Sequence, residues 1–565
     1  MKIFKSNSWK LLLPVLLFST FSCQKVLEEK PMSFLSPENF YKNEADAKAA
    51  INAVYSALYT YDLYLQPMWN LTMLDDDHVS GADWFLGTSG AGNPQGYWGV
   101  DGPWVGCYSI ISNSCPNIKP LRFHVGIWIN KLKSRIFRAN TVLENVAAIN
   151  TNIDATVKNR ILGEAYFFRG WAYFQLVQLY GAVPIRLKSL SLDPTASLAR
   201  SSVADVYKQV IADFKSAEAN LLPITDTKSG EPGRVTRSVA KGFLAKTYLT
   251  IASGAATGNV SVRGGKDNGM YTYPKTVVAG LENIASKDYY ILARDKALEV
   301  ITSNEYSMFA NWTDMWSKAG RNKTEHMWEL QALGGSSFVN ELHNYMSSFS
   351  TFGRGAMWFT NNHYNDYDTT DIRVLKGVVH NYEMNNAART KYFYPSWQSY
   401  NYKVINGATY ANTPATDDRA YTIKYSDVAD PTVSRSDAHF PMIRYTEMYL
   451  IVAEADNEIN NGPSPQAYTN LNTIRARAKT QTAPANLTRD EFRSFVLAER
   501  AREFVFEGVR RYDLMRWGIY LQVMNKIGIG QNNITKVRNT RNLLLPIPQS
   551  EINSNTLITA NNPGW

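Results

Sequence analysis

The densest group of residues able to do chemistry is Asp75-Asp76-Asp77-His78. Adjacent carboxylates supply oxygen ligands of the kind calcium takes in sets of about six to eight, and they also accept hydrogen bonds from sugar hydroxyls. The spacing and glycine of an EF-hand loop are absent, and the same residues would serve as a loop or helix cap. A second charged stretch, ERAREFVFEGVRRYDLMRW at 499–517, pairs Glu499 with Arg502, Arg500 with Glu503, and Glu507 with Arg510 and Arg511 at helical spacing. Opposite charges at such spacing attract across a helix surface. The expectation is therefore an ion-pair network fastening the last helices to the body, not a catalytic carboxylate set. The seven histidines (78, 124, 326, 343, 363, 380 and 439) fall in no HExxH or HxH pattern, the pattern a metallohydrolase needs. No GxSxG elbow, P-loop or GxGxxG is present, so serine-hydrolase and nucleotide chemistry lack support. A glycosidase needs only two carboxylates flanking a bond, and among 50 acidic residues motifs alone leave that open.

Elements must position these groups, and composition bounds them. The chain has 565 residues, 45% hydrophobic and 19% charged, with 34 Gly, 23 Pro and three Cys. Such a chain is neither disordered nor a repetitive polymer, and it is not a disulfide scaffold. The net charge of +9 is diffuse, with no block of five or more Lys/Arg, whereas a nucleic-acid binder concentrates its charge. No nucleic-acid partner is expected. Cys107 and Cys115 leave room for one disulfide, which sequence does not decide, and no CxxC or Cys/His spacing points to zinc.

Residues 1–22 (MKIFKSNSWKLLLPVLLFSTFS) carry Lys2, Lys5 and Lys10, no acid, and an apolar run from Leu11 to Phe18. That run is too short to span a bilayer and matches the apolar region of a secretory signal. Ser22-Cys23 follows, placing Cys23 as a lipidation site, although Thr20 and Phe21 depart from the commonest lipobox. Residues 23–40 read as anchor and linker, and 41–565 as a single unit.

Helical patterning dominates that unit. Ser36-Pro37 reads as a helix start, followed by a face of Ala47, Ala50, Ile51, Val54 and Leu58. Further helices are predicted at Lys131–Ile149, Ala155–Leu179, Val203–Leu222, Ser238–Ile251, Asp288–Ser303, Met442–Ile459 and Pro465–Lys479. Gly181 and Pro184 end one of them, Ser464-Pro465 opens another, and Thr488–Glu491 forms a capping box. The prediction is a mainly α fold of tetratricopeptide-like helix pairs, with few short strands. Its helical layer covers about 41–66, 131–255, 285–304 and 441–525. A loop-rich layer covers about 67–130 and 306–440, and the spans Pro67–Asn130 and Tyr306–Phe440 hold ten of the 14 tryptophans.

Four segments resemble the SusD/RagB family of outer-membrane nutrient-binding lipoproteins. They are SFLSPENFYKNEADAKAAINAVYSAL after the lipobox; GEAYFFRGWAYFQLVQLYGAVPI; FPMIRYTEMYLIVAEADNEI with NLNTIRARA; and LAERAREFVFEGVRRYDLMRWG with LLLPIPQSEINSN and the final NPGW. They keep the family's order over nearly the whole chain, and together they are specific. The stretch between Trp104 and Ile136, which includes Cys107 and Cys115, departs from the family's pattern. The resemblance implies a SusD-like fold and a lipid-anchored protein on the outer face of the outer membrane. It also implies a SusC-like TonB-dependent transporter as partner, oligosaccharide as ligand and no catalysis.

For such a ligand the loop tryptophans gain a role. A pyranose has an apolar face that lies against an aromatic ring and a hydroxyl rim that polar groups grip. Trp84, Trp98, Trp358 and Trp397 have Gly, Asn, Asp or Ser close by and are the candidate platforms, with Asp76 as a candidate polar contact. Trp328 sits in HMWEL, which reads as a buried strand. No cofactor is expected; calcium at Asp75, Asp76 and Asp77 stays open. Two alternatives stand beside the glycan reading: the same architecture binding peptides, and a scaffold with no small ligand.

Overall fold

Helix ends fall where side chains can satisfy loose backbone groups. Helix α1 (Glu44–Ser56) starts at Asn43, whose side chain accepts from the Asp46 N–H at 3.0 Å. Residues 40–43 bend, so the helix does not run on from Ser36 as its cap signal suggests. The predicted face of Ala47, Ala50, Ile51 and Val54 is buried. Helix α2 (Arg122–Ala147) begins well before the expected Lys131, because no proline interrupts the chain after Pro120. Trp128 therefore lies on a helix and not in a loop.

Helix α3 (Ala155–Tyr180) is capped by Asp154, which accepts from the Val157 N–H at 3.0 Å. It ends at Gly181, whose φ of +68° suits a residue without Cβ. Helices α4 (Val203–Asn220), α5 (Arg237–Ala255) and α6 (Ser286–Thr302) follow. Helix α7 (Tyr445–Ile459) and α8 (Pro465–Arg477) are joined through the Ser464 cap. Helix α9 (Arg489–Phe504) opens on the Thr488–Glu491 capping box, and α10 (Arg510–Arg516) and α11 (Tyr520–Ile527) close the set.

The computed structural model describes residues 40–59, 67–81, 122–347, 355–383, 391–395, 402–405, 408–412, 419–530 and 536–565. Within them successive helices from α2 to α7 pack on one another in chain order, and α7 also packs on α8 and α9. That nearest-neighbour order is the mark of helical repeats. The fold is mainly α with few short strands.

The core joins both layers. Phe167 of α3 packs edge-on against Phe243 of α5 and Trp328, at ring-centre distances of 5.2 and 5.3 Å. Trp328 lies on the strand His326–Leu330, all five residues of which are buried, as HMWEL suggests. This strand pairs antiparallel with Phe440–Arg444. The expected helix start at Met442 is thereby displaced to Tyr445: strand pairing claims residues that helical periodicity alone would have assigned to the helix.

The loop-rich layer is tied by small sheets. Val79–Gly81 runs antiparallel to Met357–Phe359, with Ser80 opposite Trp358. Asn259–Gly264 and Gly269–Pro274 form a hairpin whose Val260 and Val262 are buried with Leu497, Leu514 and Val523 of α9 to α11. Strands 381–383, 391–393, 408–412 and 402–405 form a four-stranded sheet in that order.

Candidate functional site

Two of the three aspartates of the acidic cluster are spent on ion pairs, and the third on backbone N–H groups. Asp75 takes Arg511 Nε and Arg538 Nε at 3.0 Å each. Asp77 takes Arg510 through Nε and Nη2, both at 2.7 Å. Asp76 Oδ1 accepts the N–H groups of His78 and Val79, each at 2.8 Å. Lys536 Nζ donates to the carbonyls of Leu74, Asp76 and Val79. The cluster is thus a buried knot that fixes residues 74–79. Asp75 and Asp77 point at guanidinium groups, and no group of three or more His, Cys, Asp or Glu among the described residues is arranged to hold a metal ion. Calcium, which the sequence left open, therefore finds two of the three carboxylates already held by guanidinium groups. Asp76 is corrected as an open contact, since it is 4% exposed. Burial, then the charge of Asp77, pushes its pKa up to about 7. Burial pulls Lys536 down to about 8.

The second charged stretch is structural as expected, but most of its partners are elsewhere. Glu499 and Arg502 meet within α9 at 3.0 Å. Arg500 instead reaches Asp513 and Glu447. Glu503 holds Arg373, Arg444 and Arg477 at 3.0, 3.0 and 2.6 Å. Glu507 takes Lys424 and Arg444. The helix ends at Phe504, and Phe506 turns the chain with φ of +61°. Residues 507–511 therefore leave the face that carries 499–503.

Beside the acidic knot lies a cleft of about 320 Å³ lined by residues of 77–80, the tip of the 259–274 hairpin, residues of 360–366, and Ile527, Ile529, Gly530 and Lys536. Thr360 joins two of them, donating its N–H to the His78 carbonyl at 2.9 Å. It also caps the helical turn Asn361–Asn365. Arg263 on the hairpin pairs with Asp366 at 3.2 Å, and Asn362 donates to the Gly265 carbonyl at 3.1 Å. His78 and His363 stack in the cleft wall, ring centres 3.9 Å apart and planes 14° apart. Burial holds both imidazoles well below their usual pKa, so both are neutral at ordinary pH. The arrangement offers a polar wall of neutral histidines and Ser80, with Arg263 paired to Asp366, Lys536 held by backbone carbonyls and Lys266 at the hairpin tip.

Of the predicted platforms, Trp358 is described, and it is corrected. It is fully buried, its ring edge-on to Tyr421 at 6.2 Å and 4.7 Å from the Arg419 guanidinium. It sits in the middle of the short strand Met357–Phe359, whose three residues are all buried, and its polar neighbours in sequence lie outside that strand. Trp84, Trp98, Trp397, Cys23, Cys107 and Cys115 lie outside the described residues. Sequence reading missed His363 and Arg263: neither stands in a motif, and only the fold brings them beside His78.

Two family models match the chain. The SusD family model covers residues 299–565, and a model described as starch-binding and associating with the outer membrane covers 119–249. The chain belongs to the SusD/RagB family. SusD-like protein P2 of Formosa agariphila is 25% identical over 589 residues, covering 99% of this chain and 100% of that one. A SusD homologue from Bacteroides thetaiotaomicron superposes with a TM-score of 0.69 at 21% identity, covering 94% of this chain and 98% of the other. A laminarin-binding SusD-like protein superposes with a TM-score of 0.65 at 20% identity, covering 93% and 100%.

Proposed function

We propose that this protein is a lipid-anchored, cell-surface member of its family that captures oligosaccharides and hands them to a SusC-like TonB-dependent transporter. The carrying observation is the cleft: on a scaffold shared with carbohydrate-binding relatives, two loop-rich segments, the 259–274 hairpin and the chain after α11 line a polar cavity of about 320 Å³. Hydrogen-bonding groups in a concave site fix a ligand's orientation. Trp84, Trp98 and Trp397 are assigned the stacking role. The protein works by binding and leaves the glycan unchanged.

Two experiments test the cellular half of the reading. Affinity purification of the tagged protein from outer membranes in mild detergent should bring down a TonB-dependent barrel in near-equal amount; its absence would count against delivery. Cys23→Ala should leave the body folded but release it from the membrane. Among the described residues no helix is long and apolar enough to cross a bilayer, and stable anchoring by lipid takes more than one acyl chain. Fractionation of cells lacking the transporter checks this; a mutant that still pellets with outer membrane would contradict the anchor.

A further inference from the structure

Helix α2 carries Arg122, Lys131, Lys133, Arg135 and Arg138 against a single acid, Glu144. The loop after α3 is laid along it. Asn140 donates to the Arg186 carbonyl at 3.1 Å, and Glu144 accepts the Ser189 N–H at 2.7 Å. The N–H groups of Leu192 and Asp193 then close a turn on the Ser189 carbonyl. This fixed loop does not cover its own leucines. Leu187, Leu190 and Leu192 are 42%, 51% and 63% exposed, and Phe137 is 45% exposed. Phe137, Asn140 and Glu144 stand three and four residues apart and so share one helix face. The backbone is tied down while four large apolar side chains stay in water along one side of α2. Grouped exposure of this kind marks an interaction surface, where single exposed residues would not.

The charges beside these residues are unequal. Lys188, within the loop, and Arg138 are exposed and form no ion pair among the described residues. The acids nearby are committed: Glu144 to the Ser189 N–H, Glu551 to Lys133, and Asp193 to the Thr195 N–H. Apolar side chains bordered by unmatched cations complement the boundary of a lipid layer, where acyl chains meet anionic headgroups. The tether places such a layer within reach. Helix α1 starts beside the loop that follows α2, with the Glu44 N–H on the Asn152 carbonyl. The chain toward Cys23 therefore joins the body at the end of α2 that Ser189 and its turn approach. Seventeen residues separate Cys23 from Phe40, at most about 60 Å of chain. A surface held at that range is present at high effective concentration, so a patch too weak to anchor the protein by itself still orients it.

We infer that Phe137, Leu187, Leu190 and Leu192, with Lys188 and Arg138, dock the body on an anionic lipid surface, so that the anchored protein lies on its membrane by this face. The inference rests on the lipid-anchor reading and deepens it from attachment to orientation.

The test follows backbone amide exchange by mass spectrometry. It compares the lipoprotein in phosphatidylcholine vesicles, plain or mixed with phosphatidylglycerol, with the Cys23→Ala protein free in buffer. A hexahistidine tag at residue 23 on nickel-chelating lipid supplies a second tether, so the face is tested whether or not Cys23 is acylated. On vesicles containing phosphatidylglycerol, amides of 187–192 should exchange roughly tenfold slower than in the free protein, the ratio for a loop docked about nine-tenths of the time. Added salt should reduce that protection. Leu190→Asp combined with Leu192→Asp should abolish it at an unchanged melting temperature, since both side chains are exposed. If the double variant misfolds, the wild-type comparison decides alone. Equal exchange in tethered and free protein overturns the inference. Protection that appears only when a transporter is added, or that grows with the concentration of free protein, also overturns it and gives the face to a barrel or to a second copy. Protection on the tagged vesicles with Cys23 found unacylated upholds the docking face and overturns the anchor reading alone.

Discussion

Glu503→Gln is expected to lower folding stability by about 3–5 kcal/mol, the usual consequence of removing one member of a buried ion-pair set. Glu503 is fully buried and holds Arg373, Arg444 and Arg477. These guanidinium groups come from three separate parts of the chain, and without the carboxylate they remain buried and under-compensated. The same network gives stability an acid limb. Burial opposes ionisation of Glu499 and Asp513, but Arg373, Arg502 and Arg475 around the first, and Arg500 and Arg516 around the second, outweigh it and lower both to about 2. A carboxylate whose pKa is lowered on folding stabilises above its unfolded value and loses that contribution as pH falls through the folded one. Stability should therefore decline from about pH 4.5 to about pH 2. Asp76, raised to about 7, acts in the opposite sense between its ordinary 3.8 and 7, so most of its change is complete before the acid limb develops. Chemical-denaturant melts of wild type and Glu503→Gln across pH 2–8 check both parts; a variant as stable as wild type at pH 7 would mean the network is not what joins the last helices to the body.

The two kinds of tryptophan should separate cleanly on mutation. Trp358→Ala should cost about 3–5 kcal/mol of stability, as large-to-small changes in a packed core do. Its ring is fully buried between strand 79–81 and Tyr421. Trp98→Ala should leave the melting temperature nearly unchanged and weaken sugar binding by about 1.5–3 kcal/mol, the scale of burying one large apolar side chain, or roughly 10- to 150-fold. Melting curves and calorimetric titrations on both variants decide. Loss of stability in Trp98→Ala without loss of binding would move that ring to the core.

Much of the helical layer was legible because its signals are local. Gly181, Ser464-Pro465 and the Thr488–Glu491 box mark helix ends in a few residues, and the structure uses each of them. HMWEL announced a buried strand by its composition. What failed was non-local. Phe440–Arg444 continues a helical pattern, yet pairs with a strand more than a hundred residues earlier. Trp358 has polar neighbours in sequence, yet its environment comes from 79–81 and Tyr421. The charges of 499–511 look self-paired at helical spacing, but a turn at Phe506 sends Arg510 and Arg511 to Asp77 and Asp75. His78 and His363 carry no motif at all; their stacking is a product of topology.

The most direct test of the central claim is titration of the purified lipoprotein with a broad oligosaccharide panel, followed by chromatographic analysis of each glycan after prolonged incubation. The account predicts saturable binding of at least one oligosaccharide, recovered at its original length and linkage. Absence of binding across the panel, or shortened products whose formation stops when a single carboxylate is replaced, would contradict it.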